Sequence, residues 1–290
     1  MTAAWDTVAI LGVGLIGGSI GLGLRQRGLA RRIIGIGRRA SSLQAARRRG
    51  AATETTTDLR RGVAQANLII VCTPVEQVAA QIHSLRQHCL SDALITDVAS
   101  TKATIVAAVE SVEASARQLG TPLRGQFVGS HPLAGSEKTG VRYADPDLFV
   151  DRAAVVTPTP CTPARAVRRA TQLWQSLGAR VTRMSAQAHD EAVAAISHLP
   201  HLVASALAAA TPRSQLSLTG GGWRDTTRVA AGDIELWRQI LGDNRQQLLP
   251  CLDHFLQVLA RFRQALIDHD EPELRRLLEA GKEIRDAVGN

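Results

Sequence analysis

Three short segments of this 290-residue chain hold the side chains best suited to chemistry. They are residues 97–102, 129–138 and 197–201, and they contain histidine, serine, lysine and carboxylate groups. The first two follow predicted buried strands, and a doubly wound sheet binds its ligands at the carboxyl ends of such strands. Histidine titrates near neutral pH, so the histidines in these segments are candidates for acid–base work.

A glycine-rich turn near the N-terminus has the spacing of a dinucleotide-binding site. Gly12, Gly14 and Gly17 form GxGxxG directly after an apolar run and at the start of a predicted helix. Gly12 allows the tight turn, Gly14 lets the backbone approach a pyrophosphate, and Gly17 lets helix and strand pack closely. The helix N-terminus then offers N–H donors to the phosphates. The predicted cofactor site also includes Leu15, Ile16, Thr73 and Pro74.

The second predicted strand ends in residues that favour NADP over NAD. Gly37 stands where a carboxylate usually binds the ribose 2′-hydroxyl, and Arg38, Arg39 and Ser41 follow it. A small residue followed by two guanidinium groups accepts a 2′-phosphate through charge-assisted bonds. The alternative is a general arginine excess, since residues 25–61 hold eleven arginines.

Seven short apolar runs, separated mostly by helical patterns, must position these segments. The runs are aliphatic and lack polar alternation, as is typical of strands buried on both faces. They span residues 8–11, 33–36, 68–72, 94–98, 127–129, 153–156 and 180–184. Repeated βα units predict an α/β fold with a parallel, doubly wound sheet over residues 1–184.

The chain changes character at residue 185, where strand-like runs stop. Helical patterns cover residues 186–210, 243–268 and 271–288, with a glycine-rich loop at residues 220–222. Pro200 should kink the first of these helices because it removes a backbone hydrogen bond. The second carries a wide apolar stripe that is either core or a dimer seam. We therefore predict a helical second domain over residues 185–290.

Composition and charge exclude several classes of protein. Hydrophobic residues make up 45% and charged residues 21% of the chain, which excludes disorder as its main state. The net charge of +8 suggests nucleic acid, but only three of 34 basic residues are lysine and no nucleic-acid-binding motif accompanies them. We attribute the charge to steering of an anionic ligand, and expect no nucleic-acid partner.

Metal, disulfide and membrane roles are also not expected. The four cysteines, at positions 72, 89, 161 and 251, form no CxxC pair. His198 and His201 lie one turn apart, but no third ligand accompanies them at metal spacing. We read no apolar run of the 18 or so residues that a membrane span needs, and no basic leader. The expected location is the cytoplasm.

Five motifs in order give the chain a family resemblance. They are GxGLIGGS at the glycine turn, Asp-x-x-Ser-x-Lys at 97–102, His-Pro-Leu-Ala-Gly-Ser-Glu at 131–137, Ser-His-Leu-Pro-His at 197–201 and Gly-Gly-Trp-Arg-Asp-x-Thr-Arg at 221–228. The chain thus resembles the prephenate/arogenate dehydrogenase family of tyrosine biosynthesis. The resemblance implies a Rossmann-type domain followed by an all-helical, 6-phosphogluconate-dehydrogenase-like domain that builds a homodimer.

The resemblance also implies an oxidative decarboxylation and roles for individual residues. Hydride leaves ring C4 for the nicotinamide as CO2 leaves C1, and the ring becomes aromatic. His131 would be the base on the C4 hydroxyl, and Ser100 would hydrogen-bond that hydroxyl or the imidazole. Arg228 would pair with a substrate carboxylate. The remaining substrate-binding candidates are His201, Ser136, Glu137 and Trp237.

Several alternatives stay open at this point. Glu137 is equally a solvated loop acid, and Trp237 equally a core aromatic. Arg224 is more readily a loop or interface residue, and His198 a structural one. The sequence does not separate prephenate from arogenate, although Glu137, Asp225 and Asp233 are the acids to inspect.

Two rival functions share the two-domain plan. Dehydrogenases of the 3-hydroxyacid and 6-phosphogluconate type use a lysine in the helical domain, and residues 185–281 contain none. A non-catalytic NADP-sensing regulator would keep the glycine turn without needing His131, Ser100 and Arg228 together. We also expect no room for an appended regulatory module, so that any tyrosine inhibition would be competitive.

Overall fold

The structure is a computed structural model that describes residues 4–121 and 123–289, and its strands form one eight-stranded sheet. The spatial order of the strands is β3-β2-β1-β4-β5-β6-β7-β8. Their bounds are β1 Trp5–Leu11, β2 Ala30–Ile36, β3 Glu54–Thr56, β4 Leu68–Val71, β5 Leu94–Asp97, β6 Gln126–Pro132, β7 Ala153–Thr157 and β8 Arg180–Arg183. The seven predicted strands are confirmed. The short β3 was missed because three polar residues on the sheet edge carry no apolar run.

Helices connect most of these strands and cover both faces of the sheet. They are α1 Leu15–Gln26, α2 Ala40–Arg49, α3 Leu59–Val63, α4 Val75–Arg86, α5 Ala103–Gln118 and α6 Ala164–Ser176. In β1, Val8 and Ile10 join the core on the α1 and α6 side, whereas Ala9 and Leu11 join the core under α4 and α5. This alternation explains the continuous apolar runs, since both faces of each central strand are buried.

The predicted parallel, doubly wound sheet is present, but one pair of neighbouring strands departs from it. β6 and β7 are antiparallel, with His131 opposite Val155. Residues 133–152 join them with only a 3-10 turn, Val141–Tyr143, and no crossover helix. Parallel neighbours are usually joined by a crossover helix, which this segment lacks, and the chain instead reverses direction here.

The helical part begins at α7, Ala186–Val193, which Ser185 caps by accepting a hydrogen bond from the Ala188 backbone N–H. A π-helical turn, Ala194–His198, follows directly and leads into α8, Leu199–Ala210. Pro200 lies in the first turn of α8. The predicted disturbance is therefore a π-helical turn before the proline, where the backbone absorbs the missing hydrogen bond.

The glycine-rich segment at residues 220–222 is not a loop throughout. Gly220 precedes a short helix, α9 Gly221–Thr227, which was missed because glycine is a poor helix former. A 3-10 turn, Arg228–Ala231, continues into α10, Ile234–Asp243, which Asp233 caps.

Packing divides the chain into two compact units, Met1–Asn244 and Arg245–Asn290. The second unit consists of the two predicted helices, α11 Arg245–Ile267 and α12 Glu271–Val288. Leu256, Leu259 and Leu266 of the α11 stripe are more than half exposed in the single chain. The domain boundary at residue 184 stays a prediction.

The expectation that no segment reaches membrane length needs correction. Residues Ala186–Ala210 are long and apolar enough to cross a membrane, with a mean hydropathy of 1.5 in the best window. One such helix is weak evidence of a span, because core and interface helices of other proteins have the same composition. This stretch also buries four polar side chains, His189, Asp190, His198 and His201.

Candidate active site

The candidate site lies where the central strands of the sheet end. β1, β4, β5 and β6 are parallel neighbours, so their carboxyl ends meet at one edge. The glycine turn follows β1, residues 73 and 74 follow β4, and residues 97–102 begin at the last residue of β5. His131 was expected after its strand but lies inside β6. This edge therefore gathers the first two polar segments and the glycine turn.

The three glycines of the turn occupy positions with different constraints. Gly12 has φ +94°, and a Cβ there would lie 2.5 Å from the Cys72 carbonyl oxygen. A Cβ on Gly17 would lie 2.2 Å from the Gly12 carbonyl oxygen. At Gly14, the residue before α1, a Cβ would meet nothing within 4 Å. Gly12 and Gly17 permit the turn because neither position has room for a Cβ. Gly14 leaves open space at a helix N-terminus, where a phosphate can bind.

A cavity of about 380 Å³ extends from this turn along the end of β2. Its lining includes Gly12, Gly14, Gly37, Arg38 and Arg39. An open helix N-terminus beside two arginines fits the phosphates of a dinucleotide. Ser42 also lines the cavity, next to the predicted Ser41, which is exposed.

Arg142 is a cavity residue that the sequence analysis missed. It comes from the 3-10 turn Val141–Tyr143, and its guanidinium lies 4.6 Å from the centre of the Tyr143 ring. Val141 and Ala144 pack with Ala46 of α2, which brings the turn beside Arg38 and Arg39. No local pattern could have revealed it, because the turn is remote in sequence from β2.

The other predicted cofactor residues lie around the turn. Leu15 begins α1, and Ile16 packs against the apolar core. The Thr73 hydroxyl hydrogen-bonds the Gln81 side chain, and Pro74 precedes the first residue of α4. Cys72 is half-buried beside them, and burial together with Asp97 raises the pKa of its thiol, so it is not a nucleophile here.

His131 is buried, with 9% of its surface exposed. Its Nδ1 lies 2.9 Å from Nε2 of His189, and the two rings meet edge to face. Burial, followed by the nearby His189, Lys102 and His198, lowers the pKa of His131 well below its usual 6.5. The imidazole is therefore neutral at neutral pH, as a general base must be.

His189 and its neighbour Asp190 were not identified from the sequence. Nδ1 of His189 lies 2.7 Å from Oδ1 of Asp190, and both residues are buried. The Asp190 carboxylate also accepts hydrogen bonds from the Lys102 and Ala103 backbone N–H groups, each at 2.8 Å. A His-Asp pair just inside a helix N-cap is the signal that could have pointed to them.

The segment after β5 holds a fully buried ion pair. Nζ of Lys102 contacts Oδ2 of Asp97, and burial lowers the pKa of Lys102 despite that carboxylate. Asp97 also accepts hydrogen bonds from the backbone N–H groups of Ala99 and Ser130, at 3.0 and 3.1 Å. These bonds tie the segment to β6, the strand that carries His131. Ser100 lies between Asp97 and Lys102 in the sequence and is half-buried.

A second cluster forms between the third polar segment and α10. The rings of His201 and Trp237 stack, with centres 3.5 Å apart, and Gly232 leaves room for them, since its Cβ would lie 2.6 Å from Trp237. Asn244 donates hydrogen bonds to the Asp190 carbonyl oxygen at 2.8 Å and to Nδ1 of His198 at 3.0 Å. Nε2 of His198 and Nδ1 of His201 are buried and have no hydrogen-bond partner among the residues that the structure describes. Burial lowers the pKa of His198 to about 4 and also lowers that of His201.

Arg228 and Glu137 meet although they lie on separate elements. Nη1 of Arg228 donates a hydrogen bond to Oε2 of Glu137 at 3.2 Å, and the arginine side chain is 61% exposed. Ser136 is exposed and accepts a hydrogen bond from the Lys138 backbone N–H at 3.2 Å. Arg224 is exposed on α9. The loop after β6 and the turn after α9 thus form one charged surface.

Within residues 4–121 and 123–289, no group of three histidine, cysteine or acidic side chains could hold a metal ion. The chemistry available at this edge of the sheet is therefore that of a buried neutral imidazole beside a candidate dinucleotide site, with a guanidinium and an aromatic stack on the helical side.

Two family models match the chain. Residues 20–183 match the nucleotide-binding domain of prephenate dehydrogenase, and residues 185–280 match its dimerization domain. The prephenate dehydrogenase of Bacillus subtilis (strain 168) is 34% identical over 290 residues, which cover 98% of this chain and 76% of that protein.

Two solved structures are similar over almost their whole length. One is prephenate dehydrogenase from A. aeolicus in complex with hydroxyphenyl propionate and NAD+, with a TM-score of 0.86, 29% identity and 98% of both chains covered. The other is Synechocystis arogenate dehydrogenase, with a TM-score of 0.79, 31% identity, and 97% of this chain and 99% of that one covered.

Proposed function

Because the chain belongs to the prephenate dehydrogenase family, it is a nicotinamide-dependent dehydrogenase of tyrosine biosynthesis, and we propose how its own residues carry out the reaction. The reaction is the oxidative decarboxylation of prephenate or arogenate. A bound nicotinamide would supply the oxidant for the hydride that leaves ring C4 as C1 loses CO2. The protein must take the C4 hydroxyl proton and return it to the product oxygen once the ring is aromatic, hold the substrate carboxylates and exclude water.

The observation that carries the proposal is the environment of His131. Its Nδ1 is engaged by His189 at 2.9 Å, which leaves Nε2 as the nitrogen for the C4 hydroxyl proton. The lowered pKa of His131 supports a neutral ring that is ready to accept it. Ser100, half-buried at the neighbouring strand end, is the hydroxyl that we assign to orienting the substrate's C4 hydroxyl.

Substrate binding is assigned to the helical side of the site. Arg228 exchanges Glu137 for a substrate carboxylate, since a guanidinium at the surface can change partners at little cost. The stacked His201 and Trp237 are assigned to a flat wall against which the substrate ring packs. Ser136 lies at the entrance beside Glu137.

We also propose NADP as the preferred cofactor. Gly37 places no carboxylate at the ribose, and Arg38, Arg39 and Arg142 line the same cavity. Three guanidinium groups around one cavity favour the more anionic cofactor. The glycine turn with Leu15, Ile16, Thr73 and Pro74 is assigned to the part that NAD and NADP share.

One acid is the best candidate for discrimination between the two substrates. Asp233 caps α10 and Asp225 is exposed on α9, whereas Glu137 is only 28% exposed and faces Arg228. We assign Glu137 to the side-chain end of the substrate, where arogenate has an ammonium and prephenate a keto group. A carboxylate there favours arogenate once Arg228 has turned to the substrate.

Assembly and location are proposed from the same body of observations. The exposed apolar stripe of α11 and the match to a dimerization domain support a homodimer. Sedimentation at micromolar concentration tests the homodimer, and a monomeric mass contradicts it.

A cytoplasmic location without nucleic-acid or membrane partners remains our proposal for this biosynthetic enzyme.

The decisive experiment is a steady-state assay that crosses both substrates with both cofactors, followed at 340 nm. We expect turnover with at least one substrate and a lower KM for NADP than for NAD. Arogenate should have the higher kcat/KM. No turnover in any of the four combinations contradicts the catalytic proposal, whereas turnover with a preference for NAD contradicts only the cofactor assignment.

A further inference from the structure

We propose that His189 and Asp190 are positioning residues that fix the proton of His131 on Nδ1 and leave Nε2 free to accept the substrate proton. The inference rests on the proposed role of His131 as the base. It starts from three buried side chains in series, His131, His189 and Asp190, on strand β6 and helix α7.

The Asp190 carboxylate is fixed before it meets the histidine. Oδ1 accepts a hydrogen bond from the Lys102 backbone N–H and Oδ2 accepts one from Ala103, both at 2.8 Å. These two N–H groups open α5, where the helix dipole favours a negative charge. An amide N–H can only donate, so both carboxylate oxygens are held as acceptors.

This arrangement determines the tautomer of His189. Because Oδ1 of Asp190 is an acceptor, His189 must donate to it from Nδ1, across 2.7 Å. A neutral imidazole with its proton on Nδ1 has a lone pair on Nε2. That Nε2 lies 2.9 Å from Nδ1 of His131, so His131 must be the donor in this pair. The donors therefore run in one direction, from His131 through His189 to Asp190.

The consequence for the reaction is that the lone pair of His131 lies on Nε2. As hydride leaves C4, the O–H bond breaks, its electron pair forms the C4=O bond, and the proton forms an N–H bond at Nε2, so that His131 becomes an imidazolium. Once CO2 has left and the ring is aromatic, the imidazolium returns this proton to the phenolate oxygen. Its Nδ1–H remains bonded to His189, and the new charge is stabilised through that ring by the buried Asp190 carboxylate. Burial lowers the basicity of His131, and this series of hydrogen bonds to Asp190 offsets part of that effect.

Some of the charged groups around His131 and His189 oppose a positive charge on His131, and others favour it. Lys102 after β5 and His198 in the π-helical turn oppose a positive charge on His131. Asp97 is paired with Lys102, and Asp190 contacts His189.

Two variants of His189 separate positioning from packing. In His189→Gln the amide oxygen can still accept from Nδ1 of His131, whereas His189→Phe fills similar space with no acceptor. We expect His189→Phe to lower kcat by on the order of 10²-fold with substrate KM within about threefold, because only the transition state is affected. His189→Gln should recover about tenfold of that loss. His83→Gln, on the exposed face of α4, is the matched control.

A spectroscopic readout tests the tautomer in the free enzyme. With ¹⁵N-labelled histidine, Nε2 of His131 should resonate as an unprotonated ring nitrogen and Nδ1 as a protonated one, and this preference should weaken in His189→Phe. The His131→Asn and His189→Gln variants assign the signals among the eight histidines. If His189→Phe does not fold, the wild-type spectrum and His189→Gln still decide the question.

The outcomes distinguish this inference from the proposed function. A His189→Phe variant with wild-type kcat overturns the positioning role and leaves His131 as the base. A wild-type His131 protonated on Nε2 overturns the positioning role together with the assignment of Nε2 as the accepting atom. An unchanged kcat in His131→Asn overturns the base assignment itself, whatever the tautomer.

Discussion

Arg228 donates a hydrogen bond to Glu137 at 3.2 Å across 91 residues of sequence. The two side chains come from the turn after α9 and the loop after β6, so this one contact links the helical region to the strand that carries His131. In the proposed mechanism, the arginine leaves this carboxylate for that of the substrate.

Removal of Arg228 should weaken substrate binding more than it slows chemistry. Its partner carboxylate is present in both the ground state and the transition state, so Arg228→Ala should weaken substrate binding by up to about 1 kcal/mol, which raises KM by up to about fivefold, with a smaller effect on kcat. Arg224→Ala, on exposed α9, is the control and should stay near wild type. Steady-state kinetics at fixed ionic strength give kcat and KM for both variants. A loss confined to kcat in Arg228→Ala contradicts the assignment of Arg228 to the substrate carboxylate.

Glu137→Gln should free Arg228 for the substrate. An exposed ion pair is worth about 0–1 kcal/mol, so KM for prephenate should fall by up to about fivefold. If Glu137 also meets the arogenate ammonium, KM for arogenate should not fall with it. Equal changes for both substrates would remove Glu137 from the specificity argument.

His131→Asn should lower kcat by about 10²–10⁴-fold, the usual contribution of a general base, with little change in KM. Asparagine can still donate to His189, so the local packing is kept. In the wild type the rate should be constant near neutral pH and fall only below 6.5, because the pKa of His131 is lowered by burial. A rate–pH profile that retains its acid limb in His131→Asn would assign that limb to another group.

The cofactor preference should depend on the end of β2. Gly37→Asp combined with Arg38→Ala should favour NAD, because a carboxylate repels the 2′-phosphate and binds the ribose hydroxyl. Arg142→Ala should weaken binding of 2′,5′-ADP and leave that of 5′-ADP unchanged, as measured by calorimetry. Equal weakening of both fragments would place Arg142 at the adenine and not at the 2′-phosphate.

Two glycines of the same turn should respond differently to alanine. A Cβ on Gly14 enters open space, so Gly14→Ala should fold normally yet bind cofactor about tenfold more weakly, which is about 1.4 kcal/mol. A Cβ on Gly17 meets the Gly12 carbonyl oxygen at 2.2 Å, so Gly17→Ala should lose about 1–3 kcal/mol of stability. Urea unfolding and cofactor titration distinguish the two; normal cofactor affinity in Gly14→Ala would contradict the phosphate site.

The buried His198 should make stability depend on pH. Its pKa falls from 6.5 to about 4 on folding because burial disfavours the charged ring. The unfolded chain therefore binds more protons between these values, and stability should drop by at most about 3 kcal/mol as pH falls from 6.5 to 4. His198→Asn keeps an acceptor for Asn244 and should flatten this dependence in urea unfolding, whereas His83→Ala should not.

The sequence alone determined the elements whose cause is local. Continuous apolar runs predicted seven strands because both faces of a central strand are buried, and the GxGxxG spacing located the glycine turn because only glycine fits its backbone at Gly12 and Gly17. Five ordered motifs likewise pointed to the family, and His131 was singled out by its residue type and its motif.

Only the tertiary structure decided which of these residues meet. His131 lies next to His189, which is 58 residues away in the sequence, and Arg142 lines the same cavity as Arg38. The antiparallel β7 and the helical start of the Gly220–Gly222 segment were likewise not evident. Such contacts depend on how distant elements pack, and the packing is a sum over many side chains that no local pattern records. The sequence therefore determines the chemical type of each side chain. The fold determines which groups that side chain contacts, and these contacts set its protonation state.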